Sequence, residues 1–63
     1  MLEQALLRER FESLLKAEQQ ARLAYEEVAR LVPDPSRQEQ IQQLIRDKQR
    51  HIELTRRLLE LVD

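Results

Sequence analysis

A chain of 63 residues with neither glycine nor cysteine makes one small domain, unstapled by disulfides and without material for a glycine-rich phosphate loop. Charged residues make up 37% and apolar residues 41%, with both signs interspersed and a net charge of −1, so the basic footprint of a DNA- or RNA-binding protein is missing. No apolar run reaches the roughly 20 residues of a membrane span and no secretory h-region is visible, so a soluble protein without a membrane partner is expected; absence of cysteine suits the reducing cytoplasm.

The first element is read from the spacing of Leu7, Phe11, Leu14, Glu18, Ala21, Tyr25, Val28 and Val32, which alternates between four and three. That spacing places them on one face of a helix predicted over about 3–32. Pro33-Asp34-Pro35-Ser36 interrupts it, because proline cannot continue a helix interior. Asp34 suits an N-cap with Pro35 at the first helical position, and Ser36 with Glu39 offers a second capping box. Residues 33–35 are therefore the turn. A second helix follows over about 36–61, with Ile41, Leu44, Lys48, His51, Thr55, Leu58 and Val62 on its inner face. So short a turn makes the helices antiparallel neighbours, an all-α αα-hairpin over 1–63.

A single hairpin does not use up the apolar surface. Ala17, Ala24 and Leu31 widen one flank of the first stripe, and Leu15 and Ala29 the other. On the second helix Ile45, Ile52 and Leu59 lie to one side, with Leu54 and Leu61 to the opposite one. Two hairpins paired as a four-helix bundle would cover these flanks, so a homodimer or higher homo-oligomer is expected.

Five polar residues, Glu18, Tyr25, Lys48, His51 and Thr55, stand where a seam calls for leucine or isoleucine. Interior charges pair with one another or hold a metal, because burying one alone costs several kcal/mol. With the turn near Asp34, Glu18 comes level with the stretch between Lys48 and His51, so the polar residues meet mid-hairpin. Glu18 is then either the ion-pair partner of Lys48 or a metal ligand, and His51 either a hydrogen-bonded core residue or a second ligand. Asp47, one turn before His51, is placed to orient its ring. Tyr25 is expected to send its hydroxyl towards Glu18 or a water, and Thr55 to bond back to the preceding turn. Glu26 and Arg30 have the spacing of an i,i+4 ion pair.

Glu18, Tyr25 seven residues on, and His51 on the second helix resemble the ferritin-like superfamily, and more closely its half-length members, the encapsulated ferritins. In that family a two-helix chain dimerises to rebuild a di-iron bundle, with Glu-x-x-His on the second helix. The resemblance implies Glu18 and His51 as ligands for iron or zinc. Lys48 stands where the family pattern has its second glutamate. An ammonium does not ligate while protonated and repels a nearby cation, so ferroxidase-type activity is not expected. Two readings follow. One is a metal-free structural or interaction module without a cofactor; the other is a metal-binding protein with one site shared between subunits by two Glu18 and two His51. A hydrolase or nucleotide enzyme is not indicated, since no nucleophile–base pair stands out.

Overall fold

A chain rich in alanine, leucine, arginine, glutamate and glutamine, and free of glycine, leaves the helical conformation only where proline forces it. In the computed structural model, which describes residues 2–62, α1 spans Leu2–Leu31 and α2 spans Pro35–Val62. The two helices form a rod with extents of 50 × 14 × 10 Å, and no strand occurs among the described residues. None of its helices is long and apolar enough to cross a membrane, again among the described residues.

Val32 precedes Pro33 and is disfavoured in the helical region, so α1 stops at Leu31. Asp34 then starts α2. Its carboxylate accepts the Arg37 backbone N–H at 3.1 Å, and its carbonyl accepts the Gln38 N–H at 2.9 Å. Pro35 occupies the first helical position, where a missing N–H is harmless. The Asp34 cap is the one in use, and α2 begins one residue earlier than 36.

Helix C-termini are commonly closed by a glycine of positive φ. This chain has no glycine, and no described residue has positive φ. Glutamines do the work instead. Gln38, in the first turn of α2, donates from its carboxamide to the carbonyls of Ala29 and Val32 at the end of α1. Gln4, near the start of α1, donates to the carbonyl of Val62 at 2.9 Å. Each helix thus carries, near its own N-terminus, the amide that satisfies carbonyls at its neighbour's C-terminus.

The seam between the helices is narrower than expected and lies to one side. Its half-buried or buried residues include 11, 15, 18, 21, 22, 25 and 29 on α1, Val32 just beyond it, and 41, 45, 48, 52, 55, 59 and 62 on α2. Phe11, Glu18, Tyr25, Val32, Ile41, Lys48, Thr55 and Val62 are on it as the spacing predicted. Leu15 and Ala29 take the place of Leu14 and Val28, Arg22 joins the half-buried Ala21, and Ile45, Ile52 and Leu59 replace Leu44, His51 and Leu58. Both rows have the same four–three spacing as partners for the shared positions. The row that fills the seam offers isoleucine where the other offers histidine, so more apolar surface leaves water. Among the described residues only Ile45, Ile52 and Thr55 are buried, and α1 has none.

Candidate functional site

Glu18 on α1 faces Lys48 and His51 on α2, one helical turn apart on the same side of that helix. Lys48 Nζ donates to Glu18 Oε1 at 3.2 Å. His51 Nδ1 lies 3.0 Å from Glu18 Oε2. Both oxygens of one carboxylate are therefore engaged, each by a different residue of the partner helix. The side chains of Glu18 and Lys48 are 16% and 24% exposed, whereas His51 is 47% exposed. The triad begins inside the seam and ends at its rim. Because an ionised carboxylate only accepts, the His51 nitrogen turned to it is the one that carries a proton.

Burial pushes the Glu18 carboxyl up. The hydrogen bonds from His51 and Lys48, with their positive charge, outweigh that effect and hold it below the ordinary carboxylate value. Glu18 is thus kept ionised by its two neighbours.

The other residues predicted for this cluster are distributed around it. Thr55 is buried, at 5% exposure, and its hydroxyl donates to the His51 carbonyl at 2.7 Å. This back-bond anchors the turn of α2 that carries the imidazole. Asp47 does not orient His51. Its carboxylate accepts from Gln43 and Arg50, both at 3.2 Å and on the same helix surface. The residue that holds the ring is Glu18, across the seam. Tyr25 is half-buried two turns beyond Glu18, and among the described residues no hydrogen bond joins its hydroxyl to that carboxylate. Two turns of rise, about 10 Å, separate them.

Arg22 belongs to this seam as well, although its charge argues against an inward position. Its Nε is buried without a hydrogen-bond partner among the described residues, and the Glu26 carboxylate lies 3.5 Å away. Glu26 thus pairs with the residue one turn before it, not with Arg30. The signal in the sequence is its position four residues from both Glu18 and Glu26.

Above the triad a groove of about 260 Å³ is lined by Leu14, Glu18, His51, Leu54 and Thr55. The opposite face has a wetter groove of about 390 Å³, bordered by Glu26, Arg30, Gln38, Gln42 and Gln49 among others. The donor set of a single chain does not suit a metal ion: Glu18 is neutralised by an ammonium on one oxygen and bonded to an imidazole on the other. Among the described residues no group of three or more His, Cys, Asp or Glu side chains is placed to hold one. No family model matches the chain, and no curated protein or solved structure is similar enough to match it.

Proposed function

We propose that this hairpin is a metal-free, ferritin-like structural module that works as a homodimeric four-helix bundle in the cytoplasm, without catalysis of its own. Lys48 takes the place of a cation: it neutralises Glu18 within the seam and fixes the register of the two helices. The observation that carries this reading is the engagement of both oxygens of the Glu18 carboxylate, by Lys48 at 3.2 Å and by His51 at 3.0 Å. A single polar contact of this kind sets pairing and orientation in helical assemblies. Dimerisation supplies the burial that the hairpin lacks, since among the described residues only two hydrophobic ones are buried.

A second reading, a cation shared between subunits, has one observation in its favour. With Nδ1 turned to Glu18, His51 keeps its other ring nitrogen for a ligand, on a side chain 47% exposed. That is how carboxylates orient metal-bound histidines. Titration calorimetry with Fe²⁺ and Zn²⁺ separates the two. The wild type is expected to bind neither ion appreciably, and Lys48→Glu, which removes the ammonium and adds a carboxylate beside His51, to bind measurably. Tight stoichiometric binding by the wild type, abolished in His51→Ala, would replace the metal-free reading with the shared site.

A further inference from the structure

The hairpin's two faces are unlike each other. With 100° between successive residues, the groove above the triad continues along the whole rod as an apolar surface. It runs through Leu7, Leu14 and Val28 of α1 and Leu44, Leu54 and Leu58 of α2, all 41–47% exposed. The opposite groove is lined by Glu26, Arg30 and three glutamines, together with Ala29 and Ile45. The chain exposes 5145 Å², whereas a compact monomer of 7.6 kDa exposes about 4,300 Å². The excess is close to the ~800 Å² that each partner contributes to a standard interface. The face is also 50 Å long and 14 Å wide, room enough for a contact of that size.

The distribution of bulk along this face is uneven. The half towards the chain termini carries Leu7, Leu14, Leu54 and Leu58. The half towards the turn carries Ala17, Ala21, Ala24 and Val28 on α1, with Leu44 opposite. We infer that two copies meet across this face head to tail, their turns at opposite ends, so that the leucine-rich half of each lies over the alanine-rich half of the other. This rests on the dimer proposed above and adds its face and direction. Large side chains over small ones let layers interdigitate without voids. Copies aligned with their turns together would stack Leu14 on Leu54 at one end and leave Ala21 against Asp47 at the other, a wedge.

The chain has no cysteine, so single-cysteine variants report cleanly. Ser36 is exposed in the first turn of α2, and Ser36→Cys with a spin label places a probe at the turn. Pulsed dipolar spectroscopy on the full chain is expected to give a label separation comparable to the 50 Å length of the rod. Turns at the same end would give about 10–25 Å, one to two helix diameters, and would overturn the head-to-tail direction while leaving the dimer standing. Under mild oxidation Ala17→Cys, on the face near its middle, is expected to cross-link, and Gln49→Cys, on the wet groove, is not. The reverse pattern would place the interface on the other face. A monomer at every concentration in sedimentation would remove the dimer itself, and the inference with it.

Discussion

Glu18 is the residue on which most else depends, because it is the one anion in the seam with two donors across it. Replacing it by alanine leaves Lys48 without its partner in a half-buried position. Exposed ion pairs contribute about 0–1 kcal/mol and breaking fully buried ones costs about 3–5 kcal/mol. With Glu18 16% and Lys48 24% exposed, Glu18→Ala is expected to lose about 1–3 kcal/mol in urea denaturation. Glu18→Leu combined with Lys48→Leu should lose much less than the two single changes together; strict additivity would show that the pair is not coupled. The acid side follows from the lowered Glu18 pKa. Between its folded value and its higher unfolded value the unfolded chain binds more protons, so stability rises with pH there. The contribution is complete above the ordinary carboxylate range and disappears as pH falls through the depressed value. Glu18→Gln should flatten that part of a stability-against-pH curve, and an unchanged acid limb would assign it to other carboxylates.

At the scale of the helices, capping was half legible. Asp34 with Pro35 is a local signal, readable because the capping side chain is three residues from the N–H it serves. The reciprocal glutamines were not, since Gln4 and Gln38 act on carbonyls of the other helix and nothing local distinguishes them from surface glutamines. Asp34→Ala is expected to cost about 1 kcal/mol. Gln38→Ala, which strips two carbonyls of their donor, should cost at least as much; a midpoint unchanged in urea would mean that water replaces it fully. The seam shows the same division. Four–three spacing identified both helices and half of the inward positions, yet it fits Leu14–Ala21–Val28 as well as Leu15–Arg22–Ala29. The choice between the rows is made on α2, where Ile45 and Ile52 fill the seam and leave His51 at its rim, a decision that needs both helices at once. Glu18, Lys48 and His51 could be expected to meet because Glu18 and Lys48 lie in the row that both alternatives share. Asp47 departs from expectation for the complementary reason: the nearest carboxylate along the helix is not the nearest in space.

For the molecule as a whole, the decisive quantity is how much apolar surface one hairpin leaves uncovered. Ile45 and Ile52 are its only buried hydrophobic residues among those described, while Leu14 and Leu58 remain 47% and 41% exposed. Two helices alone bury too little to offset the ordering of some sixty residues, which costs on the order of 1–2 kcal/mol each for the backbone. Folding and association are therefore expected to be one equilibrium, with a thermal midpoint that rises as protein concentration rises. Leu14→Glu and Leu58→Glu sharpen the test. In an isolated hairpin each replaces a side chain nearly half in water and should change stability by only about 0.5 kcal/mol. In the bundle each places a charge against the second copy's apolar face, where an unpaired carboxylate costs several kcal/mol. Both variants should therefore lower the midpoint strongly and shift sedimentation towards monomer. Leu23→Glu, at a position 56% exposed on the far side of α1, should do neither. If all three behave alike, the apolar face is not what holds the assembly together. If only the first two dissociate it, the leucines that the hairpin leaves in water are the ones its second copy covers.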